Sequence, residues 1–169
     1  MYVLSLTVHA ILGIAVTAWI IGENRALFVS VPGRPRISAV ELAYWAIGIG
    51  SVVLGWYFNI RFVLEYHHDG TNPLWGPGAS WAEYIYLMFP NWAADSASQD
   101  YVFLNVLILP IMSIAGGLRK GLPKPWLFFA SSLFTSAAFG FVLYLIVAER
   151  RRRAVLVDAV PTLPTLGGR

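Results

Sequence analysis

The chain has 169 residues, of which 57% are hydrophobic and only 12% charged, and its formal net charge is +3. A soluble domain carries about 25% charged residues and no apolar runs of about 20, so this balance, with a mean hydropathy of +0.63, speaks for an integral membrane protein. The cations cluster at the ends of apolar segments instead of alternating with exposed aromatics, which argues against nucleic acid, and the absence of cysteine removes disulfides, thiolate nucleophiles and cysteine-ligated metals.

Four apolar stretches predict an all-α, four-helix membrane bundle as a single domain over residues 1–149, followed by a basic, flexible tail over 150–169. The first span covers about 2–22. It lacks the basic start and small-residue cleavage site of a signal peptide, and its first cation is Arg25, so it reads as a retained helix. Within it His9 is the lone ionisable residue near a helix centre, more in keeping with a hydrogen-bonded core histidine than with a ligand. Pro32, Gly33 and Pro35 then turn the chain, and Ser38-Ala39-Val40-Glu41 forms a capping box that opens a second span over about 39–63. Arg61 and Glu65, four apart, are placed to pair on its projecting end.

The polar segment from His67 to Gln99 follows. Inside it Ser80-Trp81-Ala82-Glu83 is a second capping box and Pro90 a stop, which predicts an interfacial helix over about 81–89. Nine residues give only about 13 Å of helix, too short to span. Ser96-Ala97-Ser98-Gln99 is a third box, expected to start a span over about 97–118 that Pro110 should kink. Arg119 to Lys124 form a tight connection, and Pro125 suits the first position of a fourth span over about 125–148, ended by Glu149 and the arginines Arg150 to Arg153.

In that last span Ser132, Ser136 and Gly140 recur every four residues, the spacing that lets helices approach closely in lipid. Ala46 with Gly50, Ser51 with Gly55, and Ser113 with Gly117 repeat the device. These faces serve packing within the bundle or docking to a partner. Four straight spans would put Arg25, Arg34, Arg36, Arg119, Lys120 and Lys124 on one side and Arg61 with Arg150 to Arg153 on the other. The counts nearly balance, and the tetra-arginine cluster points to both termini in the cytoplasm.

Polar chemistry gathers at one rim, where Asn59, Arg61, His67, His68, Asn91 and Asp95 lie near the carboxylates Glu65, Asp69 and Asp100. Adjacent histidines face different directions on a helix or a strand, so no metal site is expected, and no cofactor is called for. A desolvated carboxylic acid among Glu65, Asp69 and Asp100 could protonate an isoprenoid double bond, with aromatics facing the cation. No serine or cysteine nucleophile constellation accompanies them.

From Asn59 onward the chain resembles a bacterial family of small membrane proteins known as domain of unknown function 2834. The resemblance rests on Asn59 with Phe62, on Asn91-x-Ala93-Ala94-x-Ser96 with Asp100, on Arg119-Lys120-Gly121 with Pro125-Trp126, and on Leu143-Tyr144-Leu145 before Glu149-Arg150. It covers about residues 59–150. Where the family carries an acidic residue before the basic hairpin, this chain has Gly116-Gly117. The resemblance implies a multi-helix domain of a bacterial plasma membrane and no particular activity. The expected function is that of a non-catalytic accessory or interaction subunit, its partners the lipid bilayer and another membrane protein or a second copy. The alternative is a small enzyme or binding protein for a lipid or isoprenoid.

Overall fold

A computed structural model describes residues 2–29 and 36–158, so Pro32, Gly33, Arg34, Pro35 and most of the expected tail lie outside the described residues. Among these residues every regular element is helical: α1 (Tyr2–Glu23), a 3-10 turn (Arg25–Phe28), α2 (Ala39–Tyr66), α3 (Trp81–Leu87), α4 (Trp92–Val102), a π-helical segment (Phe103–Ile108), α5 (Leu109–Arg119), α6 (Trp126–Phe134) and α7 (Ala137–Asp158). Three helices are long and apolar enough to cross a membrane, namely Val3–Glu23, Ala39–Tyr66 and the continuous run Trp92–Arg119.

The capping signals act where the chain needs them. Ser38 Oγ accepts from Glu41 N at 3.2 Å, and Ser80 Oγ accepts from Glu83 N at 3.0 Å. The third expected box does not form a cap. Asn91 Oδ1 accepts from the backbone N–H groups of both Ala93 and Ala94 at 3.1 Å, so α4 begins at Trp92 and Ser96 sits inside it. Asparagine matches serine as an N-cap and stands first in the chain, which moves the start forward by a turn. Pro110 is met by the π-helical segment just before it. A proline cannot donate to the carbonyl one turn back, and a wider turn re-satisfies the neighbouring backbone groups, as when Leu109 N donates to Leu104 O.

The fourth expected span, 125–148, is not one helix. It is a hairpin of α6 and α7 that folds back at Thr135-Ser136. In a straight helix Phe128 and Tyr144 would lie about 24 Å apart at 1.5 Å per residue, yet their ring centroids are 5.6 Å apart. The hydroxyls explain the break. Ser131 Oγ donates to Phe128 O at 2.8 Å, Ser132 Oγ to Phe129 O at 2.7 Å and Thr135 Oγ1 to Ser131 O at 2.7 Å, so side chains take up the carbonyls of α6. Thr135 then leaves helical conformation at φ −119°, ψ −89°. Ser136 restarts the chain as N-cap of α7, its Oγ accepting from Phe139 N at 3.1 Å and its carbonyl from Gly140 N at 3.1 Å.

Small residues make the fold-back possible. A Cβ on Gly140 would stand 2.7 Å from Phe128 O and 2.8 Å from Ser132 Cβ, so the two arms touch through glycine and serine. Gly13 of α1 meets the hairpin tip in the same way, where a Cβ would lie 2.9 Å from Phe134 O. On the other side Gly48 of α2 lies against Phe139 and Val142. The return arm α7 is therefore the centre of the molecule. Leu143, Ile146 and Val147 are wholly buried, with Ile20, Leu122, Leu127, Phe128, Phe139 and Tyr144 completing the core.

Candidate functional site

The hairpin rearranges the charges. Because α7 returns toward the end from which α6 set out, Arg151 Nε reaches Lys120 O at 3.3 Å and Arg150 Nη1 reaches Leu27 O at 3.1 Å. Arg150 to Arg153 thus share one end with Arg25, Arg119, Lys120 and Lys124, and not the end that holds Arg61. The near balance expected from four straight spans gives way to a strongly one-sided distribution.

At that end the structure builds a buried ion cluster that the sequence does not announce. Glu41, on the first turn of α2, is wholly buried, and Arg150 on α7 is 8% exposed. Arg150 grips Glu41 Oε1 with Nε at 2.7 Å and with Nη2, and its guanidinium stacks over the Phe28 ring at 4.2 Å. Arg153 Nη1 lies 3.5 Å from Glu41 Oε2, and Trp45 Nε1 donates to Oε1 at 3.4 Å. The cluster ties together α2, α7 and the turn after α1. Glu41 reads in sequence as half of a capping box, but its carboxylate turns inward to meet the returning arginine. Only the fold-back brings a residue 109 positions away to that carboxylate.

Nearby, Lys124 Nζ pairs with Glu23 Oε1 at 2.6 Å, and Lys120 Nζ donates to the Tyr144 hydroxyl at 3.1 Å. The glycines that stand where an acidic residue was expected have a geometric reason. A Cβ on Gly116 would run into the Tyr144 hydroxyl, and one on Gly117 would run into Pro125 Cβ. A side chain at either position would have to displace its neighbour, the Tyr144 hydroxyl or the Pro125 ring.

The opposite rim holds the polar residues singled out in the sequence, but it does not gather them. Thr71 Oγ1 donates to His68 O at 2.7 Å and accepts from His68 N at 3.2 Å, closing a turn. Asn91 is spent as a helix cap. Asp95 keeps one buried carboxylate oxygen without a hydrogen bond, and Asp100 accepts from its neighbour Gln99 at 2.6 Å. Glu65, Asp69 and Arg61 are exposed and Asn59 is half-buried. No ion pair joins Arg61 to Glu65, and both are exposed near the end of α2. Among the described residues no hydrogen bond joins Glu65, Asp69 and Asp100, and no three metal-ligating side chains converge. Aromatics link the rim instead: Phe62 packs edge-on against Tyr84 of α3 with centroids 5.3 Å apart.

Of the small-residue faces, most are consumed inside the molecule. Ser132 and Gly140 form the hairpin contact, and Ser136 Oγ lies 2.8 Å from Ser51 Oγ with Gly55 alongside. Ser113 is buried, and Gly117 lies against Pro125 of the α5–α6 connection. Ala46 and Gly50 differ. Both are exposed, and a Cβ on Gly50 would meet nothing within 4 Å. Gly48 and Gly50 point about 200° apart on the helix, so α2 buries one glycine and presents the other.

Between the first turns of α1, the last turns of α2 and the loop that follows lies a cleft of about 270 Å³, lined by Leu4, Leu6, His9, Val63, His67 and Thr71 among others. His9, at one end of this lining, also meets the Phe134 ring edge-on at 5.6 Å. Nothing in the residue pattern foretells it, since its lining comes from α1, the end of α2 and the loop after it, segments far apart in sequence.

A family described as "Protein of unknown function DUF2834" matches residues 43–150, well over half of the chain. No curated protein and no solved structure matches.

Proposed function

The chain belongs to the DUF2834 family, and since that family has no assigned activity we propose, from the geometry, that this member is a non-catalytic, multi-pass membrane subunit docking through the open face of α2. The observation that carries this reading is the contrast along one helix. Every other small-residue pair singled out in the sequence is pressed against a neighbour, while Ala46 and Gly50 stand exposed on the far side of α2 from the core. In lipid no hydrophobic force draws helices together, so close backbone approach at such positions is a principal means of association. The partner is a second transmembrane helix, from another membrane protein or another copy of the chain.

The distribution of cations sets the orientation within this reading. With Arg25, Arg119, Lys120, Lys124 and Arg150 to Arg153 at one end, the positive-inside rule places that end in the cytoplasm. The start of α1 and the segment over residues 67–91 then face the opposite compartment. The hairpin of α6 and α7 enters and leaves on the cytoplasmic side, with its tip near mid-depth.

The test is site-directed crosslinking in native membranes. Ala46→Cys should give one defined disulfide-linked or crosslinked product, and adding Gly50→Leu should abolish it by holding the helices apart. A protein that remains monomeric under both conditions contradicts the proposal.

A further inference from the structure

We propose that the cleft beside His9 is a binding site for an amphiphile with a single apolar chain ending in a carbonyl oxygen, the chemistry shared by free fatty acids and prenylated quinones. The argument begins with what surrounds the cleft. Leu4, Leu6, Val8 and His9 belong to the span Val3–Glu23, and Val63 to the span Ala39–Tyr66. Most of the lining thus comes from two helices apolar enough to cross a membrane, and a bilayer supplies apolar chains at high concentration. A volume of about 270 Å³ is close to the lower limit of ligand sites, about 300 Å³. It admits a head with the first carbons of a chain, and the remainder extends into the bilayer.

His9 gives the site its polarity. It lies about 10 Å along α1 from the first residue of the helix at 1.5 Å per residue, well below the rim. Among the described residues no protein group hydrogen-bonds its ring nitrogens, and its one ring contact is with Phe134. An imidazole N–H without a partner in an apolar setting is costly. Since the wall beside it is apolar except for Ser5, His67 and Thr71, a ligand carbonyl reaching His9 is the group suited to accept that N–H. The fold holds His9 in place there, since the ring of Phe134 at the end of α6 packs against it.

The site is separate from the Ala46–Gly50 face, so either reading stands if the other falls. The experiment is titration of purified full-length protein in nanodiscs with two probes, diazirine-labelled palmitic acid and decylubiquinone, the bound amount being quantified by mass spectrometry. One saturable molecule per chain is expected for at least one probe, which identifies the source. Photoadducts of the palmitic acid probe on wild-type protein should fall on residues 4–9 and 63–67. His9→Phe should weaken the bound probe about tenfold, the worth of one hydrogen bond of about 1.4 kcal/mol. Ala79→Phe, which narrows the opposite wall, should weaken it as well. Non-saturable uptake of both probes overturns the proposal, as does saturable binding with adducts spread evenly over the lipid-facing helices. Unchanged affinity in His9→Phe overturns it too, whatever Ala79→Phe does.

Discussion

Replacing Glu41 by glutamine removes one charge and almost no volume, and tests how completely the ion cluster is enclosed. In the native protein Arg150, 8% exposed, gives Nε and Nη2 to Glu41 Oε1. The introduced glutamine can still accept one of these bonds, but Arg150 would keep its charge without a counter-ion. Arg153, on the outer side with 20% of its side chain exposed, can turn to water. Removing one member of a buried pair costs about 3–5 kcal/mol. With only one cation stranded, the lower end applies, about 3 kcal/mol. At about 2–4 °C per kcal/mol for a chain of this size, that is a fall in Tm of roughly 6–12 °C. The assay is thermal unfolding in a mild detergent, followed by loss of the monodisperse peak. Glu41→Met combined with Arg150→Met should recover most of the loss, since apolar replacement of both partners is close to neutral. A Glu41→Gln protein within about 1 kcal/mol of wild type would refute the reasoning, as would a double variant weaker than the single one.

Other consequences can be checked with the same preparation. Gly140→Leu presses its new side chain against Phe128 O and Ser132, and a carbonyl held in a helix cannot retreat. Overpacking of this kind should lower stability by about 3 kcal/mol, while Gly50→Leu, with open space around it, should leave the isolated protein unchanged in the same melt. A double-mutant cycle on Ser51→Ala and Ser136→Ala should give a coupling of about 0.6 kcal/mol, the usual worth of an interhelical hydrogen bond in a membrane, and a zero coupling would remove that bond from the account. The hydrogen bond from Arg152 holds the Glu149 carboxyl below its ordinary range. A depressed carboxylate contributes stability that is complete above its unfolded pKa, about 4.3, and is lost as pH falls through the lower folded value. Glu149→Gln should therefore flatten that part of the acid melt, and an unchanged acid profile would count against the pair.

How much of this could be read from the chain follows from which forces were local. Caps at Ser38 and Ser80 involve residues three apart, and the sequence displays them directly. The three helices long and apolar enough to cross a membrane follow from length and hydropathy alone. The hairpin was hidden because its arms, 125–134 and 137–148, add up to the length of one span and carry no proline or glycine at the bend. Its signal was present in another form: Ser131, Ser132, Thr135 and Ser136 put four hydroxyls within six residues, enough to satisfy the ends of two helices. The spacing of Ser132, Ser136 and Gly140 reads as a packing device in the sequence alone. It is symmetric about Ser136, which in a folded-back chain makes the two arms each other's neighbour. The Glu41–Arg150 cluster depends on that bend. It could not be seen until the bend was known.

The bend is also open to one direct measurement. The chain has no cysteine, so single cysteines at Arg119, Val155 and Asp69 can be labelled with a membrane-impermeant maleimide in right-side-out and inverted vesicles. With α6 and α7 folded back, positions 119 and 155 should label from the same side and position 69 from the other. Labelling of 155 together with 69, and opposite to 119, would mean that residues 125–148 cross the membrane as a single helix, and would contradict the account.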